Sequence, residues 1–219
     1  MSLPILYAHP FSSYCQKALI AFYEKDLPFE YRVLSQDNPA TGAEFFALWP
    51  IGRFPILKDG DAVWMESSIV IEWADQRSGG ARLIPHEPAE ALRVRMLDRV
   101  FDNYVMTPMQ TVVFDRLRPP EAQDAYGVNQ ARERLDTVYR WLEGELADRT
   151  WAAGEDFSLA DCAAAPSLFF ANWVHPFDDY PQLCAYYARL RARPSVKRAV
   201  DEARPYRDFF PGGPPKDRD

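Results

Sequence analysis

Cysteine and histidine are scarce in this chain, and each scarcity excludes a class of chemistry. Its 219 residues hold three cysteines, Cys15, Cys162 and Cys184. The number is odd, the spacing is wide and no CxxC occurs. A disulfide framework is therefore excluded, and a reducing compartment is expected. The three histidines, His9, His86 and His175, lie far apart and lack metal-ligand spacing, so no metal is expected. Long apolar runs are also missing. None approaches the roughly 18–20 residues that cross a bilayer, so no membrane partner is expected. Positive charge is in deficit: 25 Lys and Arg face 32 Asp and Glu, for a net charge of -7. That balance disfavours nucleic acid as a partner. The segment Met1 to Leu6 has no basic stretch leading into an apolar run and a small-residue cleavage site. No secretory leader is expected there, and a cytoplasmic location is.

What is present is an ordinary globular mixture, 47% hydrophobic and 26% charged. The length suits one large domain or two small ones. The first eighty or so residues alternate strand and helix. The apolar run Ile5-Leu6-Tyr7-Ala8 reads as a buried strand. His9-Pro10-Phe11 breaks it, and Ser12 or Ser13 caps a helix over roughly 14–25. Phe29 to Leu34 alternates as a second strand. A helix joins these two strands, so they should pair in parallel through a right-handed crossover. A short helix is expected near 41–48. Two strands follow, 54–57 and 62–65, joined by Lys58-Asp59-Gly60-Asp61, whose Asp-Gly is a hairpin signal. An amphipathic helix over 67–76 closes the series.

Beyond Arg77-Ser78-Gly79-Gly80 no strand is evident. Helical patterns run over about 89–117, 128–148, 158–172, 180–192 and 195–204. Pro108 deep in the first of these should kink it. The tail from Pro205, with Pro211-Gly212-Gly213-Pro214-Pro215, reads as an extended, partly mobile end. The division is thus an α/β unit over 1–77, a linker over 78–88 and an all-helical unit over 89–219.

Three motifs stand in order along this frame. The first is Trp49-Pro50-Ile51-Gly52-Arg53-Phe54-Pro55, in which Pro55 opens a strand. Proline belongs at a strand end, edge or bulge; a trans bond is the commoner state and a cis bond the alternative. The second is Glu66-Ser67 at the start of a helix. The third is Gly154-Glu155-Asp156-Phe157-Ser158-Leu159-Ala160-Asp161, where Ser158 and Asp161 have capping-box spacing. Over nearly the whole chain this pattern resembles the cytosolic glutathione S-transferase family. The resemblance implies a thioredoxin-like N-terminal domain, a C-terminal helical bundle, a cis bond before Pro55, glutathione as co-substrate and a homodimer. Phe54 stands where the family often has Val, and Trp49 where it often has Asn.

The resemblance also implies site residues. Ser12 falls where serine-type classes (theta-, zeta- and tau-like) carry their catalytic serine, with Ser13 as the adjacent competitor. Read without it, Ser12 is an ordinary helix cap. Tyr7 lies within the first strand and reads as packing. Cys15, in the first helical turn, is the candidate of a different chemistry, a glutathione-dependent thiol reductase. Its bland alternative is a small buried residue. Glu66, Ser67, Arg53, Phe54 and Pro55 are expected to hold glutathione. Ser67 would take the γ-glutamyl carboxylate at a helix N-terminus, and the Phe54 main chain would pair with the cysteinyl backbone. Between Val33 and Gly52 there is no Lys, Arg or His, so the basic glycyl anchor of several classes is missing. An apolar electrophile should sit between the domains, against Tyr104, Met106 and Thr107. The function expected is a glutathione transferase. The alternatives are the Cys15 reductase and a non-catalytic protein of the same fold that binds partners.

Overall fold

The computed structural model describes residues 3–218. Met1 and Ser2, where the leader reading begins, and Asp219 lie outside the described residues. Four strands form one sheet: β1 (Ile5–Ala8), β2 (Glu30–Val33), β3 (Ile56–Asp59) and β4 (Ala62–Met65), in the order β2-β1-β3-β4. β1 pairs in parallel with β2, as a strand-helix-strand connection requires. β3 runs antiparallel to β1, and β4 antiparallel to β3 through the Gly60 turn. The second strand loses one residue at each end of its expected span, and the third is shifted two residues later than expected, which leaves Pro55 just outside the ladder.

Three helices accompany the sheet: α1 (Ser13–Glu24), α2 (Pro39–Leu48) and α3 (Ser67–Arg77). α1 is the centre of the molecule. Nine of its residues, from Ser13 to Phe22, are buried. One side meets α3 and the other meets helices of the C-terminal half, α7 (Leu159–Val174) and α9 (Pro194–Ala203). Its end is tied across by Glu24, which takes two bonds from the Arg193 guanidinium at 2.7 Å. Such a fork-to-fork pair fixes orientation as well as charge.

The remaining helices are α4 (Pro88–Val100), α5 (Thr107–Asp115), α6 (Ala125–Glu145) and α8 (Pro181–Ala192). α7 is buried along its whole length, as expected of a helix that is apolar all round. The connection over 78–88 is pinned rather than loose. Leu83 and Ile84 are buried, Leu83 N–H donates to Asp75 Oδ1 at 2.8 Å, and Lys25 Nζ donates to the Ala81 carbonyl at 2.7 Å.

Two further expectations differ from the structure. The helix over 89–117 is neither one α-helix nor a broken one. A π-helical turn, Phe101–Met106, joins α4 to α5, with Thr107 N–H bonded to the Asp102 carbonyl five residues back. Pro108 follows at the start of α5. Having no N–H, it leaves a carbonyl of the preceding turn without its helical donor, and the widened turn absorbs that loss. The tail is not an extended end. A 3-10 turn, Arg204–Phe209, carries Phe210 into the core against Phe170 and Trp173. Arg116 then bonds the Pro211 carbonyl at 3.0 Å, and Arg218 pairs with Asp178 at 2.5 Å. Among the described residues no helix is long and apolar enough to cross a membrane.

Candidate active site

A cleft of about 640 Å³ opens where the two halves meet. The residues expected to carry the chemistry gather there. Ser12, Ser13, Arg53, Phe54, Pro55, Glu66 and Ser67 all line it.

Ser12 is the N-cap of α1. Its extended backbone (φ -80°, ψ 127°) turns the chain from β1 into the helix. Its N–H donates to the His9 carbonyl at 3.0 Å, and its Oγ accepts from Cys15 N–H at 3.5 Å. That is a long cap bond, so the half-buried hydroxyl keeps hydrogen-bonding capacity toward the cleft. Ser13 is more deeply buried. Cys15 is fully buried, and burial pushes its thiol up to about 12, against weaker lowering by Ser12 and the His9 N–H. A reactive thiolate needs the opposite environment. Tyr7 is buried in β1 and accepts a bond from Arg32 at 3.3 Å; burial first, then Glu44, pushes its phenol up to about 12.

The opposite wall comes from two turns. In the first, Gly52 adopts φ +71°, and a Cβ there would lie 2.7 Å from the Phe46 ring. Glycine answers both constraints. The Phe54–Pro55 bond that follows is cis. Arg53 and Phe54 are exposed where they line the cleft. In the second turn, Glu66 has φ +67° ahead of α3. A non-glycine residue held there costs of order 1–3 kcal/mol, and such strain gathers at ligand clamps. Ser67 is buried at the first position of α3, where free N–H groups and the helix dipole favour a carboxylate.

Beside Ser67 lies a charged cluster that sequence reading missed. Lys17 is 1% exposed and pairs with Asp98 at 2.5 Å and Asp102 at 2.7 Å. Its ammonium also donates to Ser68 Oγ at 2.9 Å. Arg99 joins from α4, 2.6 Å from each aspartate. Burial raises the Asp102 carboxyl above the usual carboxylate range, against the pull of Lys17; Asp98 adds to the rise and Arg99 opposes it. Asp102 lines the cleft, and its Oδ1 has no hydrogen-bond partner among the described residues. Ser68 lies 51 residues and Asp102 lies 85 residues from Lys17 along the chain, too far for any local pattern to announce.

The helical wall is displaced from its expected place. Tyr104, Met106 and Thr107 are not among the residues that line the cleft. Met106 is 1% exposed, in the core, whereas Tyr104 is 60% exposed and Thr107 is also exposed. The π-helical turn adds a residue to the helical repeat and so rotates the following face. Asn103, Met109, Gln110 and Val113 meet the cleft instead, with Phe11, Phe170, Phe209 and Phe210. Phe11 stands edge-on to Phe170 with ring centres 5.3 Å apart.

Residues 6–82 match the family model described as glutathione S-transferase, N-terminal domain, and residues 105–194 match glutathione S-transferase, C-terminal domain. Glutathione S-transferase A of Pleuronectes platessa is 31% identical, with 84% of each chain covered. The chain belongs to the glutathione S-transferase family. Glutathione transfer is the chemistry of this family, and glutathione is its co-substrate. Glutathione S-transferase GstB of Escherichia coli strain K12 is 25% identical over 86% of this chain and 93% of its own. Among solved structures, a glutathione S-transferase from Methylobacillus flagellatus with glutathione bound superposes with a TM-score of 0.81 at 25% identity, covering 90% of this chain and 98% of its own. The family's thioredoxin-like sheet and helical second half are both present here.

Proposed function

We propose that this family member is a serine-type transferase that holds glutathione as its thiolate beside Ser12 and adds it to an apolar electrophile. One observation carries the reading: the serines that begin α1 and α3 and the Phe54–Pro55 turn converge on a single cleft. The cysteinyl sulfur sits at the N-terminus of α1, where the Ser12 hydroxyl donates to it. Lowering a thiol pKa by two units takes about 2.7 kcal/mol, within reach of one hydroxyl bond and a helix terminus. Ser67 takes the γ-glutamyl carboxylate, Glu66 and the spare oxygen of Asp102 face its ammonium, and the Phe54 main chain pairs with the cysteinyl backbone. Arg53 serves the glycyl end. Residues 1–77 bind glutathione, 78–88 connect, and 89–219 wall the electrophile site with Met109, Val113, Phe170 and Phe210.

The buried Cys15 removes the support for a thiol reductase. Homodimer formation is supported by an exposed apolar face on two adjoining helices: Ile69 of α3 with Leu92 and Met96 of α4, held together by the Glu72–Arg95 pair at 2.9 Å. Cytoplasmic detoxification of apolar electrophiles fits the pocket and the free cysteines.

Glutathione binding by calorimetry, with a pH titration of thiolate absorbance near 240 nm, tests the assignment. The native protein should bind and hold a thiolate near neutral pH. Ser12→Ala should bind and lose the thiolate, whereas Ser13→Ala should keep it. If Ser12→Ala keeps the thiolate, the serine assignment fails. Sedimentation of native protein beside Leu92→Glu tests the dimer: two native subunits should become one, and an unchanged mass in the variant would refute this face.

A further inference from the structure

His9 stands three residues before Ser12 and takes no part in the reaction outlined above, yet it bonds the turn that carries Ser12 at three points. Its ring Nδ1 accepts from Phe11 N–H at 3.1 Å, its carbonyl accepts from Ser12 N–H at 3.0 Å, and its own N–H points to Cys15 Sγ at 3.4 Å. A backbone N–H can only donate. Nδ1 must therefore carry a lone pair, which makes the imidazole neutral with its proton on Nε2. The ring also meets the tail. Tyr206 stands edge-on to it at 4.7 Å between ring centres, and Phe209 lies at 6.5 Å. Phe11 and Phe209 both line the cleft. One side chain thus links the serine turn to the tail that walls the electrophile site.

We propose that His9 is a positioning residue, whose neutral Nδ1 holds the Phe11–Ser12 turn in the geometry that presents the serine hydroxyl to bound thiolate. The proposal rests on the Ser12 reading. Protonation of the ring converts Nδ1 into a donor facing another donor, so the Phe11 bond is lost and the turn loosens. The titratable groups packed against His9 are the Cys15 thiol from α1 and the Tyr206 phenol from the final turn. Burial lowers the His9 pKa from its ordinary value, with no contribution from a charged side chain. The neutral, bonded form is therefore the one present at neutral pH, and the effect belongs on the acid side.

The test pairs two substitutions with two readouts. His9→Phe keeps a ring for Tyr206 and Phe209 but has no acceptor. His9→Asn restores an acceptor oxygen near the Nδ1 position without a titrating group. Thiolate absorbance and turnover are followed against pH, and Phe11 amide exchange is followed by NMR. In His9→Phe, kcat should fall about five- to tenfold, the worth of one hydrogen bond. The bound thiolate should need higher pH and the Phe11 amide should exchange faster, while KM for glutathione moves by less than about twofold. His9→Asn should recover the rate, and its acid limb should follow the bound thiol alone, without the added steepness that ring protonation gives the native profile. If His9→Phe exchanges Phe11 and titrates thiolate like the native protein, or if His9→Asn is as impaired as His9→Phe, the proposal is overturned. Ser12→Ala, run in parallel, should lose the thiolate with Phe11 still protected. A retained thiolate there sinks the Ser12 reading and the catalytic part of this one together, whereas unaltered Phe11 exchange in His9→Phe sinks the His9 linkage alone.

Discussion

Two serines are helix N-caps among the described residues, Ser12 and Ser158, and their surroundings are opposite. Ser158 begins α7 in a full capping box. It is 3% exposed, its N–H and Oγ both donate to Asp161 Oδ2 at 2.9 Å, and Asp161 itself is 0% exposed. That carboxylate also accepts from Ala152 N–H at 2.8 Å and Tyr186 O–H at 2.7 Å. Ser12 begins α1 with one long bond, no acidic partner in the first turn and a face on the cleft. The same residue type at the same helical position does two jobs. Where every donor and acceptor is satisfied internally, a cap fixes the fold. Where capacity is left over beside a cavity, a cap can bind.

That contrast breaks most sharply at the carboxylates. Asp161→Ala leaves four buried donors without an acceptor and should cost about 3–5 kcal/mol, read as a lower urea midpoint. Lys17→Met leaves the buried Asp98 and Asp102 with the half-exposed Arg99 as their shared cation and should cost up to a similar amount, about 3–5 kcal/mol. It should also weaken glutathione binding, since the cluster borders Ser67. Ser158→Ala removes one cap and should cost about 1–2 kcal/mol, with turnover per folded molecule unchanged. Ser12→Ala should reverse the pattern: at most about 1 kcal/mol of stability, and about a hundredfold in kcat. Equal stability losses at the two serines, with equal turnover, would erase the distinction.

Glu66 sharpens it further. Glu66→Gly removes a side chain from the left-handed region and should leave stability unchanged or raise it by up to about 1 kcal/mol. Glutathione affinity should fall in calorimetry. A variant that loses stability would show that the Glu66 carboxylate supports the fold rather than the ligand.

Much of this was readable from the chain alone because the signals are local. The Asp59-Gly60 turn, the apolar Ile5–Ala8 run and the Ser158–Asp161 spacing each act within a few residues, and each appears where expected. What escaped reading acts over distance or shifts phase. A single π-helical turn leaves the apolar periodicity on either side intact but moves the cleft face from Met106 to Met109. The Pro- and Gly-rich tail has the composition of a free end. Its docking depends on Phe210 finding Trp173 and on Arg116 bonding the Pro211 carbonyl, partners that lie far back along the chain. Lys17 reads as one more charged position on α1, and only the fold brings Asp98 and Asp102 to it.

The smallest effect is expected at Cys15, and it separates burial from reactivity. The thiol lies one helical turn from Ser12 but fully inside the packing of α1. With its pKa pushed from 9.0 to about 12, about one molecule in 10⁴ carries the thiolate at pH 8. Iodoacetamide should therefore leave Cys15 unlabelled in the native protein, and Cys15→Ala should transfer glutathione at the native rate. The linkage has a definite sign. The folded state holds this proton more tightly than the unfolded chain, so its contribution is full below about pH 9 and drains away as pH rises toward 12. Native protein and Cys15→Ala should lose stability in parallel up to about pH 9. Above it the native protein should fall faster, because only its unfolded state gains a thiolate. Parallel curves throughout, or rapid labelling at neutral pH, would place a titrating sulfur at the start of α1 and return the reductase to contention.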